Sequence, residues 1–258
     1  MRVILPKEDI HGQRVTISGE KAHYLMSVLR CQVGDELQIL DDEGSLYKSR
    51  IASIENKKVV ADIFEKSTVN TESPLNLILI QGILKGEKMD WVIQKTTELG
   101  VKEIIPAITE RSQVKHTRKT ERWRKIAEEA SRQSGRTKIP IVYEATSFQD
   151  IFDSNPPIPP FLKRGERGLH GLIFYEEGGM KLSEAVERIK QSINSQLSTL
   201  NSQLFLAIGP EGGFKKGEVN LASSNGLIAT SLGKRILRAE TAAISAVTLV
   251  QFLMGDMD

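Results

Sequence analysis

Two short runs hold residue types that could do chemistry together. The first is Ile208-Gly209-Pro210-Glu211-Gly212-Gly213-Phe214, with three glycines, a proline and an acid in five consecutive residues. A glycine-rich bend at the carboxyl end of a buried strand lets backbone N–H and C=O groups approach a ligand closely. The competing explanation is a plain strand-to-helix turn that needs positive φ. The second run is Leu232-Gly233-Lys234-Arg235-Ile236-Leu237-Arg238-Ala239-Glu240-Thr241-Ala242. Here a strand gives way to a loop with three cations, and a helix then opens with an acid in its first turn. Glu240 suits the helix dipole and so has a purely structural explanation. Arg235 and Arg238 do not, because cations just outside a helix N-terminus oppose that dipole. Their placement beside a glycine-rich loop points to a bound anion or an acidic ligand.

Several other chemistries are disfavoured. Neither run matches Gly-x-Gly-x-x-Gly, and Gly-x-x-x-x-Gly-Lys-Ser/Thr is absent, which argues against dinucleotide and P-loop sites. His11, His23, His116 and His170 share no metal-ligand spacing, so no metal is expected. The single cysteine, Cys31, excludes an intramolecular disulfide framework and a Cys-cluster metal site, and reads as a small buried hydrophobe. No Gly-x-Ser-x-Gly elbow supports a serine hydrolase. Aromatics are 5% of residues, and no aromatic-rich RNA-stacking motif is present.

The elements that must hold these runs change rhythm near residue 70. Before it, Glu36 to Leu40 alternates as a half-buried strand. Short apolar pieces at Ile51/Ser53 and Val59 to Ile63 follow, and one helical segment spans Gly19 to Leu29. This predicts a small barrel over residues 1–70. Ser67 to Pro74 reads as a linker. From 71 to 258, strands are predicted at Leu75–Leu84, Val101–Ala107, Leu172–Tyr175, Leu204–Ile208 and Leu227–Leu232. They alternate with helices at 87–99, 121–134, 182–190, 216–224 and 239–254, an α/β pattern with a mainly parallel sheet. The Pro-rich Asn155–Pro160 run and the repeated Asn-Ser-Gln-Leu at 194 and 201 read as a loop and a low-complexity insertion without chemistry.

Charge sharpens the expectation of a partner. The chain of 258 residues carries 35 Lys+Arg and 33 Asp+Glu, a net +2. Yet residues 111–138 hold ten Lys/Arg against three Glu, a local +7 that leaves −5 for the rest. Such a concentration is the footprint of a polyanion partner. It is equally the pattern of a solvated helix face, since Glu121/Lys125 and Glu128/Arg132 are spaced i,i+4. The amino terminus lacks a signal-peptide apolar core. The apolar run Ala239–Met254 is too short to span a bilayer and is broken by Glu240 and Gln251, so a cytoplasmic protein with no membrane association is expected.

Read in order, further motifs join these. They are Lys85-Gly86-Glu87-Lys88-Met89, Gln94-Lys95, Glu98-Leu99-Gly100-Val101, Glu110-Arg111-Ser112, Trp123…Ala127…Glu129-Ala130 and Gln133-Ser134-Gly135-Arg136. With the two runs above, and with His23…Val28-Leu29-Arg30…Gly34-Asp35, they closely resemble the ribosomal RNA small subunit methyltransferase E family. The start, Arg2-Val3-Ile4-Leu5-Pro6, lacks the aromatic often found there.

The resemblance implies a PUA-like RNA-binding β-barrel (1–70) and a SPOUT methyltransferase domain with a trefoil knot (71–258). It also implies a homodimer, S-adenosyl-L-methionine as cofactor, and methylation of N3 of one uridine in 16S rRNA of the small ribosomal subunit. Cofactor contacts are then expected from Tyr175, Ile208, Gly209, Pro210, Gly212, Gly213, Leu232, Gly233, Ile236, Leu237 and Thr241. Arg238 would supply positive charge to the reacting base, with Glu211 or Glu240 as base or orienting group. Arg2, Arg30, Arg111, Arg118, Lys119, Arg122, Arg132 and Arg136 would meet RNA phosphates. The alternatives are a SPOUT methyltransferase for another RNA such as tRNA, and a non-catalytic RNA-binding ribosome-assembly factor.

Overall fold

The computed structural model describes residues 1–41, 44–68, 71–152, 170–195 and 203–257. The Pro-rich run at 155–160 and residues 196–202 of the Asn-Ser-Gln-Leu insertion lie outside them. The chain divides into two units, residues 1–72 with 131–138, and 73–130 with 139–258.

The first unit is built on one mixed sheet. Its strands are β1 (Arg2–Leu5), β2 (Ile10–His11), β3 (Arg14–Ile17), β4 (Glu36–Asp41), β5 (Ser45–Glu55) and β6 (Lys58–Thr68), in the order β1-β4-β5-β6-β3-β2. Only the β1/β4 pairing is parallel. The period-two alternation places Val15, Ile17, Leu37, Ile39, Val59 and Ala61 in one core with Ala22 and Leu25. The expected Gly19–Leu29 helix starts as α1 (Gly19–His23) and widens to a π-turn over Tyr24–Val28, where the Leu29 N–H donates to Tyr24 O. Arg30 follows at φ 51°.

Residues 131–138 join this unit in part through one carboxylate. Glu72 accepts hydrogen bonds from the Arg136 guanidinium at 2.6 Å and from the N–H groups of Thr137 (3.0 Å) and Lys138 (2.9 Å). The Arg132 guanidinium lies 3.8 Å from the Tyr24 ring centroid.

The second unit is a parallel sheet sandwiched by helices. Its elements are β7 (Asn76–Gly82), α2 (Lys88–Glu98), β8 (Glu103–Ile108), α3 (Thr120–Ser134, whose last turn belongs to the first unit), β9 (Ile141–Val142), β10 (Thr146–Ser147), β11 (His170–Phe174), β12 (Met180–Lys181), α4 (Leu182–Ser195), β13 (Gln203–Ile208), α5 (Lys216–Ser224), β14 (Leu227–Ser231) and α6 (Ala239–Met254). The order is β10-β8-β7-β13-β11-β14-β12, with β9 also on β8, and every pairing is parallel. Successive strand residues serve opposite faces, so near-continuous apolar strands are required. Leu77, Leu79, Leu172, Leu204 and Leu206 pack with α2, α3, α4 and α6. Ile78, Ile80, Ile173, Phe205 and Ala207 pack with α5, Phe148 and Phe214. Parallel pairing also puts the carboxyl ends of β7, β11, β13 and β14 along one edge, where α/β sheets place their ligands.

Candidate active site

Three loops leave that edge: 175–179 after β11, 209–215 after β13 and 232–238 after β14. The middle one is seated by a close approach. A Cβ on Gly82 would stand 2.5 Å from Pro210 N, so only glycine at the end of β7 admits the Gly209-Pro210 peptide there. The fully buried Gln81 directs its amide at the carbonyls of Gly82 (2.9 Å) and Gly209 (3.5 Å). The turn closes with Gly213 N–H donating to Pro210 O at 2.9 Å. Gly213 alone among the three loop glycines has positive φ, at 67°. Gly209 and Gly212 answer to space instead. Their Cβ atoms would stand 3.0 Å from the Gly213 backbone and 3.1 Å from Arg111 Cβ.

The three loops line a cavity of about 530 Å³, in the range of small-molecule sites. Tyr175, Ile208, Gly209, Pro210, Gly213, Leu232, Gly233, Ile236 and Leu237 face it, as do Glu211, Arg238 and Glu240. Two residues expected there lie elsewhere: Gly212 packs on Arg111, and Thr241 is exposed on the first turn of α6. Lys88, Phe174 and Ser231 also line the cavity and were not foreseen. Phe174 and Ser231 are the last residues of β11 and β14, positions that the carboxyl-edge rule could have supplied. Lys88 had no such signal, because its partner Glu211 is 123 residues away.

Of the three acids at the cavity, Glu176, Glu211 and Glu240, the last two differ. Burial pushes the Glu211 carboxyl upward, but hydrogen bonds from its own backbone N–H, from Lys85 N (3.1 Å) and from Lys88 Nζ (3.3 Å) outweigh this and hold it below the usual glutamate range. Glu211 therefore has its Oε1 engaged by both lysines. Glu240 keeps a buried Oε2 that has no hydrogen-bond partner among the described residues. The Tyr175 hydroxyl donates to Glu177 at 2.6 Å, which raises its pKa. Arg238 caps α6 by its backbone, accepting from Ala242 N at 2.8 Å. Among the described residues the side chains of Lys234, Arg235 and Arg238 form no ion pair, and Ile236 between them is 82% exposed.

The arginines and lysine expected to meet RNA are scattered in circumstance. Arg30, Arg111, Arg118, Lys119 and Arg122 are exposed, with Lys119 Nζ 3.4 Å from Gly86 O. Arg2 donates to Gln38, Arg132 is stacked on Tyr24, and Arg122 is paired with Asp90 at 2.7 Å beside the Trp123 indole. Arg111 donates to Gly212 O at 2.8 Å. Arg136 corrects the expectation: at 3% exposure, ion-paired with Glu72, it has no surface to offer a phosphate. Among the described residues no group of three or more His, Cys, Asp or Glu is placed to hold a metal ion. No helix there is long and apolar enough to cross a membrane.

Comparison with known proteins agrees with this geometry. A family model described as an RNA methyltransferase domain matches residues 71–251, and one described as an RNA methyltransferase PUA domain matches residues 17–64. The ribosomal RNA small subunit methyltransferase E of Bacillus subtilis is 33% identical, over 93% of this chain and 92% of that protein. The crystal structure of the Neisseria gonorrhoeae ribosomal RNA small subunit methyltransferase E bound to S-adenosyl methionine superposes with a TM-score of 0.81 at 32% identity, covering 100% of this chain and 99% of that one. A Legionella pneumophila methyltransferase structure, also with bound cofactor, gives 0.80 at 32% identity over 97% and 96% of the two chains. With the fold, the cavity and both halves of the sequence in agreement, this chain belongs to the ribosomal RNA small subunit methyltransferase E family.

Proposed function

We propose that this chain methylates N3 of a uridine in small-subunit ribosomal RNA, using S-adenosyl-L-methionine bound in the three-loop cavity. The observation that carries the reading is the cavity at the carboxyl edge of the sheet. It pairs a backbone-rich glycine turn with the unpartnered, buried Glu240 Oε2 and an uncompensated cation, Arg238. These features suit a cofactor with both polar and apolar parts. Backbone groups of 209–213 and 232–237 would hold its polar atoms, while Ile208, Leu232, Ile236 and Leu237 would enclose its apolar surface. S-adenosylmethionine, when bound, supplies an electrophilic methyl group.

The chain's own residues must prepare the base. Uridine N3 carries a weakly acidic proton and becomes a nucleophile as that proton leaves. Glu240, with a free acceptor oxygen, takes or orients the proton, whereas Glu211 is committed to Lys85 and Lys88 and organises the turn. Arg238 stabilises the negative charge that develops on the uracil oxygens. N3 lies on the Watson–Crick edge, so the base is unpaired or flipped when it reacts. The 1–70 unit would supply RNA contacts from Arg30, with Arg118 and Lys119 adding phosphate contacts from the second unit. The knotted arrangement of the carboxyl-terminal loops and a homodimer belong to the same reading. Consistent with the dimer, α2 and α6 pack together and leave Trp91, Leu249 and Phe252 exposed.

Small subunits and 16S transcript incubated with labelled S-adenosylmethionine, followed by nucleoside mass analysis, test the reading. N3-methyluridine in 16S rRNA is expected. A different methylated nucleoside, or label only in tRNA, would replace the substrate. RNA binding with neither cofactor binding nor transfer to any RNA would favour an assembly factor.

A further inference from the structure

We propose that Arg111 is a positioning residue for the glycine loop at 209–213 and not a phosphate contact. The inference rests on the methyl-transfer reading for what that loop holds. The turn that carries Arg111 is fixed on every side. Thr109 N–H donates to Ser112 Oγ at 3.0 Å, and Ser112 N–H returns to Thr109 O at 3.2 Å. Lys115 Nζ donates to the carbonyls of Thr109 (2.9 Å) and Glu110 (3.0 Å). The buried Glu218 accepts from Glu110 N at 2.9 Å with one oxygen and from Lys215 N at 2.8 Å with the other, stapling the turn to the start of α5.

From this rigid base Arg111 Nη1 donates to Gly212 O at 2.8 Å. Gly212 in turn lies against the Arg111 stem, where a Cβ would meet Arg111 Cβ at 3.1 Å. Its φ is not positive, so contact with Arg111, not backbone conformation, calls for glycine there. On the other flank Glu211 is held by Lys85 and Lys88. The Glu211-Gly212 peptide is thus braced from both sides, with the cavity-lining Pro210 and Gly213 at its ends. The Arg111 guanidinium also lies within electrostatic reach of the Tyr175 phenol, on the 175–179 loop. A loop fixed before the ligand arrives need not be ordered on binding, and affinity gains accordingly.

The test separates cofactor from RNA. For Arg111→Ala in the full chain, the S-adenosylmethionine Kd and KM should each rise about 10-fold, the scale of losing a charge-assisted hydrogen bond. The kcat at saturating cofactor, and the RNA affinity with its salt dependence, should be unchanged. Arg111→Lys, which keeps a donor for Gly212 O, should recover most of the cofactor affinity. Gly212→Ala should weaken cofactor binding in the parent chain but add little in an Arg111→Gly background, where the Cβ it would strike is gone. A merely structural role would not produce that coupling. The proposal is overturned if Arg111→Ala keeps its cofactor affinity and loses RNA affinity with a flatter salt slope, or if the two losses add. If the parent chain binds no S-adenosylmethionine, the methyl-transfer reading fails separately. The brace is then judged by amide exchange at Gly213, faster in Arg111→Ala if it holds and unchanged if it does not.

Discussion

The stretch 111–138 and the loop 232–238 both read as clusters of positive charge, yet they fold into opposite electrostatic states. In the stretch, acids and carbonyls, some local and some from distant parts of the chain, meet several of the cations. Asp90 takes Arg122, Glu121 and Glu144 take Arg124, Glu72 takes Arg136, and the Thr109 and Glu110 carbonyls take Lys115. In the loop, Lys234, Arg235 and Arg238 find no acid among the described residues, and the one nearby in sequence, Glu240, leaves an oxygen unused. Local net charge therefore counts cations without saying which are available. Arg136, a buried charge, demands a partner, and folding supplies Glu72 from far away in sequence. The smaller cluster is the one whose three cations have no acid partner among the described residues.

The largest effect should come from the most deeply buried of the paired cations. Arg136→Ala leaves Glu72 with little water and no guanidinium, and should cost about 3–5 kcal/mol of unfolding free energy, measured by denaturant titration. A stable Arg136→Ala protein with weakened RNA binding would break the contrast. Next in size is Arg238→Ala, which should leave stability and cofactor affinity near parental values. It should lower kcat by about 10²–10³, as for removal of a donor aimed at developing negative charge. Full turnover in that variant would end the assignment. Glu240→Gln, which keeps shape and removes the proton acceptor, should lose about 10²-fold in kcat.

Much of this architecture was legible in the sequence because it rests on local periodicity. The 3.6-residue spacing at Met89, Val92, Ile93 and Thr96 gave α2 to within a residue, and the apolar run at 77–80 gave β7. The three loops could be placed because glycines and cations follow strand ends. What periodicity could not show was tertiary pairing. Nothing near Arg136 in sequence marks Glu72 as its partner, 64 residues earlier. The same is true of the return of 131–138 to the first unit, of Lys88 at the cavity and of the space requirement at Gly212. The π-turn at Tyr24–Val28 was also invisible, since an extra residue in a turn changes no residue type. The knot and the uridine specificity entered through the resemblance alone.

A smaller effect sharpens the contrast within the stretch itself. Arg118→Glu and Lys119→Glu should each reduce the slope of log K against log salt for RNA binding by about 1, the signature of one lost phosphate contact. Arg122→Glu should instead destabilise the fold by disturbing Asp90 and the Trp123 indole N–H, which donates to Asp90 at 3.0 Å. Its salt slope should stay at the parental value. If all three variants flatten the slope equally, pairing within the protein does not decide availability.

The smallest expected effect is on acid stability, and its sign follows from the paired carboxylate. Burial alone would raise the pKa of Glu72, but the Arg136 guanidinium and the N–H groups of Lys138 and Thr137 outweigh it and hold the carboxyl below the usual glutamate range. The unfolded chain therefore takes up a proton at Glu72 before the folded chain does. Stability from this pair is fully present above the unfolded pKa and is lost as pH falls through the folded one. In that window the single site should steepen the loss by at most about 1.4 kcal/mol per pH unit. Glu72→Gln should start from lower stability at neutral pH and lack this part of the acid limb. Glu240→Gln, which alters no paired carboxylate, should keep it. Parallel acid limbs in parent and Glu72→Gln would mean that Arg136 does not hold Glu72 ionised, and the electrostatic difference between stretch and loop would then rest on exposure alone.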